Sequence, residues 1–175
     1  MIIQPVRRAP KKRTGGFALV KVLFVCLGNI CRSPTAEGVF RKLVREHGLA
    51  DRIAVDSAGT GGWHVGEPPD GRAVKAAKRR GVDLSAIRAR QAKRGDFRHF
   101  DYVVAMDVEN LRTLSLICPE GEEHRLHLLL DFAPDLGQRD VPDPFYGGGA
   151  GFEAVLDMIE QAAEGLLAHI REKHL

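Results

Sequence analysis

The feature that most constrains this chain is an unbroken apolar run, Val22-Leu23-Phe24-Val25, that stops at Cys26 and gives way, after a short loop, to a helix begun by Pro34. A strand without polar alternation is one covered on both faces. Proline suits the first turn of a helix, where its missing N–H costs nothing. Beyond it Ala36, Val39, Phe40, Leu43 and Val44 fall on one helical face, and Gly48 suits the helix end. The alternation then continues. Ile53 to Ala58 read as a second strand, and Ala73, Ala76, Ala77 and Arg80 as a short helix closed by Gly81. Tyr102 to Met106 read as a third strand, Val108 to Ile117 as a helix, and Leu126 to Leu130 as a fourth strand. The last helix carries a single apolar stripe through Phe152, Val155, Leu156, Ile159, Ala163, Leu166, Leu167 and Ile170.

Strands separated by helices pair in parallel through right-handed crossovers, which predicts an α/β fold with helices on both faces of the sheet. In open sheets of this kind ligands bind beyond the carboxyl ends of the strands. Those ends are Cys26, Ser57, Asp107 and the loop after Leu130, so chemistry is expected to converge there.

Length and charge bound the rest. A chain of 175 residues suits one domain, and no internal repeat interrupts it. The formal charge of +3 divides into +5 on residues 1–16 (Arg7, Arg8, Lys11, Lys12, Arg13) and −2 on the remainder. Residues 1–16, rich in Pro, Gly and basic side chains, read as a disordered extension ahead of a domain over 17–175. A mildly acidic body leaves no footprint for nucleic acid. The basic stretch before Phe17 superficially resembles a secretion signal, but Lys21 breaks the apolar run and no small-residue cleavage site follows. No stretch is long enough to span a membrane, so no membrane partner is expected. Cys26, Cys31 and Cys118 match no zinc spacing and leave an odd thiol in any disulfide scheme. They fit a reducing, cytoplasmic setting without metal or cofactor.

The loop Cys26-Leu27-Gly28-Asn29-Ile30-Cys31-Arg32-Ser33 is the most specific segment. A short turn between a strand and a helix N-terminus can aim backbone N–H groups at an anion, and the helix dipole adds positive charge. Gly28 is expected to supply dihedrals that a side chain resists. Arg32 offers a planar fork for two phosphate oxygens. The same positive surroundings favour a thiolate on Cys26, the nucleophilic form of cysteine. These residues predict a cysteine-dependent phosphate-ester hydrolase. Expelling an alcohol from phosphorus also needs a proton donor. Asp131, Asp135, Asp140 and Asp143 all follow the fourth strand, and spacing alone does not choose among them, although Pro144 biases Asp143 towards an extended backbone.

The segment Val25-Cys26-Leu27-Gly28-Asn29-Ile30-Cys31-Arg32-Ser33-Pro34-Thr35-Ala36-Glu37 resembles the signature of the low-molecular-weight protein tyrosine phosphatases. Ser57-Ala58-Gly59-Thr60, Ala105-Met106-Asp107 with Asn110, and Asp143-Pro144-Phe145 extend the resemblance from Val20 to the final helix. It implies a three-layer, phosphotyrosine phosphatase I-like fold whose four-stranded parallel sheet has the order 2-1-3-4. It also implies phosphotyrosine hydrolysis through a phosphocysteine on Cys26, with Arg32 as clamp and Asp143 as acid and then base, Asp140 being the rival. Leu27, Gly28, Ile30 and Cys31 complete the phosphate loop. Asn29 and Ser57 resemble its polar supports, and Ser33 the hydroxyl that bonds the nucleophilic sulfur. Trp63, Phe145 and Tyr146 resemble aromatic walls for the substrate ring, with core packing as the competing role for Phe145. Cys31 resembles a thiol that caps the nucleophile on oxidation. His64, His99 and His127 suggest structural or surface roles, and Cys118 an inert thiol. The implied partner is a phosphotyrosine protein, with an autophosphorylating tyrosine kinase as one candidate, and the chain is expected to act as a monomer. Two rival activities share the scaffold. Arginine phosphatases carry Thr where this chain has Ile30, and thiol-coupled arsenate reductases need a downstream cysteine pair where only Cys118 is present. A non-catalytic phosphate-binding module would not need Cys26, Arg32 and Asp143 together.

Overall fold

The computed structural model describes residues 18–147 and 149–175, with the Ala150 side chain left out. The basic extension over 1–16 therefore lies outside the described residues.

Four strands form one parallel sheet in the order β2-β1-β3-β4: β1 (Val20–Cys26), β2 (Ile53–Gly59), β3 (Tyr102–Ala105) and β4 (Leu126–Leu128). The helices are α1 (Arg32–Glu46), α2 (Gly71–Arg79), α3 (Asp96–His99), α4 (Val108–Ile117) and α5 (Gly149–His174). The apolar run of β1 divides by parity between two cores, as the twofold period of a strand requires. Val20, Val22, Phe24 and Cys26 join the core under α1, α2 and α5, where Phe24 meets the edge of Phe40 at 5.6 Å. Leu23 and Val25 join the other, with Phe97 of α3, Val103, Leu114 of α4 and Leu128. Both faces are thus covered, which is why the strand tolerates no polar residue between Val22 and Val25.

Two elements differ from the sequence reading. The fourth strand stops at Leu128, and Leu129–Phe132 form a 3₁₀ turn. Its only neighbour among the described residues, β3, ends at Ala105 opposite Leu128, so Leu129 and Leu130 have no ladder to join there, although both stay buried. The one-turn helix α3 has no apolar periodicity long enough to announce it. By contrast α4 spans the residues that periodicity marks, and Gly48 and Gly81 take the left-handed conformation (φ 68° and 74°) just past α1 and α2. No helix of the described residues is long and apolar enough to cross a membrane.

Candidate active site

β1 hands Cys26 to the loop, and the loop runs directly into α1, whose first turn holds neither a capping side chain nor an acidic residue. Such a terminus favours an anion. The Cys26 sulfur lies 3.0 Å from Ser33 Oγ and accepts the Asn29 backbone N–H at 3.3 Å. Asn29, not Gly28, is the residue in the left-handed region, at φ 57°. Asparagine tolerates that conformation better than most side chains. Gly28 meets a different demand, because a Cβ there would stand 3.0 Å from His64 Cδ2. Gly59, at the end of β2, is needed for a similar reason: its Cβ would lie 2.8 Å from the Leu27 carbonyl oxygen.

Asn29 is held from behind. Its Nδ2 donates to Ser33 Oγ at 2.7 Å and to Ser57 Oγ at 2.9 Å, and its Oδ1 accepts the Arg90 backbone N–H at 3.0 Å. Ser57 in turn donates to Glu37 Oε2 at 2.6 Å, and Glu37 Oε1 takes a bond from Arg41 at 2.6 Å. Burial raises the Glu37 carboxyl above its ordinary value, against the bonds from Ser57 and Arg41. Asn29, Ser33 and Ser57 are all buried and form this supporting network; they do not line the cavity. Glu37 was not singled out from the sequence, because an acid on an amphipathic helix ordinarily faces water. Its place beside Ser57 follows from packing of α1 on β2.

Arg32 is 2% exposed. Its Nη1 donates to Asp107 Oδ2 at 2.6 Å and to the Val141 carbonyl at 2.9 Å, while Nη2 lies 3.5 Å from Asp143 Oδ2. Asp107 sits at the end of β3, one of the strand ends where chemistry was expected. Asp143 Oδ1 also accepts the Phe145 N–H at 3.1 Å. Asp140 is engaged elsewhere: its Oδ1 accepts the Val108 N–H at 2.9 Å, at the start of α4.

A cavity of about 250 Å³ opens over the loop. Cys26, Leu27, Gly28, Ile30, Cys31 and Arg32 form its base, and Trp63, His64, Asp143, Phe145 and Tyr146 its walls. Trp63 and Tyr146 are 70% and 90% exposed, so neither ring serves the core. Phe145 is on the wall too, which decides against core packing. His64 lines the cavity as well, with Nδ1 at 2.7 Å from Glu67 Oε2. Its position next to Trp63 was the available signal. Cys31 is buried, and burial, followed by the charge of Asp70, pushes its thiol up to about 12. Among the described residues no group of three or more His, Cys, Asp or Glu stands together as metal ligands.

The model of the low molecular weight phosphotyrosine protein phosphatases matches residues 21–175. The low molecular weight protein-tyrosine-phosphatase YfkJ of Bacillus subtilis is 44% identical over 158 residues, covering 90% of this chain and 100% of the relative. Its crystal structure is similar at a TM-score of 0.87 and 42% identity, over 92% of this chain and 100% of that one. The human low molecular weight phosphotyrosine protein phosphatase is 41% identical over 152 residues, 86% of this chain and 95% of its own. A Drosophila arginine phosphatase of known structure is similar at a TM-score of 0.81 and 34% identity, covering 87% and 98%.

Proposed function

This chain belongs to the low molecular weight phosphotyrosine protein phosphatase family, whose members are hydrolases of phosphomonoesters, and from that premise we propose that it removes phosphate from tyrosine in proteins through a phosphocysteine on Cys26. The observation that carries this reading is the meeting of Cys26, Arg32 and Asp143 in one cavity with exposed aromatic walls.

In the first step the Cys26 sulfur attacks phosphorus, an S–P bond forms and the bond to the tyrosine oxygen breaks. Asp143 gives that oxygen a proton, so a neutral phenol leaves rather than a phenolate. Arg32 holds two phosphate oxygens with its fork, and the N–H groups of the loop and of the first turn of α1 take the developing charge. In the second step Asp143, now a carboxylate, removes a proton from water as the water oxygen attacks phosphorus. The S–P bond breaks, inorganic phosphate departs, and the Ser33 hydroxyl 3.0 Å from the sulfur stabilises the departing thiolate. Trp63, Phe145 and Tyr146 flank the aromatic ring of the substrate.

The arginine phosphatase relative supports a second reading of the same site, phosphoarginine hydrolysis. Ile30 in the cavity base and three aromatic walls favour a flat apolar ring over a guanidinium. Peptides bearing phosphotyrosine, phosphoarginine and phosphoserine, assayed side by side without metal, separate the two. Turnover of phosphotyrosine at least tenfold above the others is the expected result, with Cys26→Ser inactive yet still able to bind vanadate, on the order of the loss that removal of a nucleophile causes. Preference for phosphoarginine reassigns the substrate. Turnover near the wild-type rate in Cys26→Ser removes the covalent mechanism.

A further inference from the structure

Arg72, the second residue of α2, lies outside the cavity, yet it joins two parts of the site that come from distant stretches of chain. Its Nε and Nη2 donate to the two oxygens of Asp70 at 3.0 and 2.9 Å. The Asp70 backbone N–H donates to the Ile30 carbonyl in the phosphate loop at 2.8 Å. On its other side Arg72 reaches the loop that bears Asp143. Nη1 donates to the Gly147 carbonyl at 3.3 Å, and the guanidinium carbon stands 5.4 Å from the Phe145 ring centre. The ring of Phe152, buried in α5, backs it at 4.8 Å.

Among the described residues, the hydrogen bonds, ion pairs and ring contacts that tie residues 143–147 to the rest of the molecule are made by Arg32 and Arg72. The side chains of Phe145 and Tyr146 are exposed, and of residues 143–147 Pro144 alone is buried. A carboxyl that must meet a leaving oxygen within hydrogen-bond reach needs its backbone held more firmly than exposed residues hold themselves.

We propose that Arg72 is a positioning residue for the reaction: through Asp70 it couples the phosphate loop at Ile30 to the loop bearing Asp143, and so keeps the carboxyl placed over the departing oxygen. This rests on the reading of Asp143 as proton donor. A lysine cannot replace the arrangement, because a point charge lacks the fork that grips Asp70 and Gly147 together. As the pair with Asp70 is partly exposed, its loss costs little in global stability.

The test compares kcat/KM for phenyl phosphate, whose leaving group needs a proton, with that for p-nitrophenyl phosphate, whose leaving group scarcely does. Arg72→Ala is expected to lose on the order of tenfold on phenyl phosphate and no more than about threefold on p-nitrophenyl phosphate, with Tm little changed. Arg72→Lys should fall between Arg72→Ala and the wild type. Asp143→Ala should show the same leaving-group signature more strongly, and adding Arg72→Ala to it should cost nothing further. Equal losses on the two substrates, or full additivity in the double variant, reduce Arg72 to a support of α2 and overturn the proposal. If Asp143→Ala itself shows no leaving-group signature, the proton-donor reading fails and the proposal falls with it. A signature in Asp143→Ala that is missing from Arg72→Ala removes the role of Arg72 alone.

Discussion

Arg32 and Asp107 are joined by a hydrogen bond of 2.6 Å from Nη1 to Oδ2, and the other oxygen of the same carboxylate accepts the Asn110 N–H at 2.7 Å to cap α4. One side chain at the end of β3 thus aims the Arg32 guanidinium and starts a helix. Asp107→Asn separates the two tasks, because asparagine is as good a cap as aspartate but carries no charge for Arg32. The variant is expected to melt near the wild-type temperature. Its kcat/KM should fall roughly 10–10²-fold, equally for phenyl and p-nitrophenyl phosphate, since a misaimed clamp affects every ester alike. A variant with full activity would mean that Val141 and Asp143 suffice to orient Arg32.

Asp143 and Asp140 lie three positions apart and do different things in the structure. Asp143→Ala is expected to lower kcat/KM for phenyl phosphate by roughly 10²–10⁴, the usual worth of a positioned acid. Asp140→Ala removes the acceptor for the Val108 N–H, so it should show in thermal melting and leave turnover near wild type. A large kinetic loss in Asp140→Ala would move the acid to that position.

Cys31 shares the loop with Cys26 but differs in state. Burial first, and then the charge of Asp70, raises its thiol to about 12, so almost none is thiolate at neutral pH. Iodoacetamide at pH 7 should therefore leave Cys31 unmodified in mass spectra of digests, and label it only in strong base. If peroxide converts Cys26 to a sulfenic acid, Cys31 can condense with it to a disulfide with loss of water. Cys31→Ser should then recover less activity with dithiothreitol after peroxide. Equal recovery in both proteins removes Cys31 from a protective role.

His127 stacks on Tyr102 at 5.3 Å, and Tyr102 pairs through its hydroxyl with His174 Nε2 at 2.8 Å. Burial lowers its pKa below the ordinary 6.5, His169 and His124 add to the shift, and Asp131 opposes it. A depressed histidine is neutral in the fold and takes up its proton more readily when unfolded. Its contribution to stability is complete above about pH 6.5 and is lost as pH falls through the lower folded value. Tm should decline between pH 7 and 5, and His127→Gln should flatten part of that decline. An unchanged slope in the variant would assign the effect to other groups.

Much of this architecture is legible along the chain because periodicity is a local property. The parity of Val22 to Val25 between two cores, the bounds of α4 and the stripe of α5 all follow from which neighbours repeat at two or at 3.6 residues. Errors arose where a partner elsewhere decides. Leu129 and Leu130 look like strand until β3 runs out at Ala105, and Glu37 carries no signal of its own until β2 brings Ser57 to it. Within the phosphate loop the sequence marked the need for an unusual backbone but assigned it to Gly28, whereas the left-handed residue is Asn29, secured by Ser57 and Arg90.

By itself, then, the sequence determined the α/β alternation and the strand–loop–helix unit holding Cys26 and Arg32, since those residues are close in the chain and their geometry follows from local backbone and helix rules. Only the tertiary structure decided which aspartate faces them. Asp143 stands 111 positions from Arg32 and reaches it at 3.5 Å, while Asp140 turns to α4. Four aspartates follow β4 with similar local chemistry, and what distinguishes them is the path of the loop over the carboxyl end of the sheet. That path is set by long-range contacts, among them the Val141 N–H to the Met106 carbonyl at 2.9 Å, which no pattern of neighbouring residues encodes.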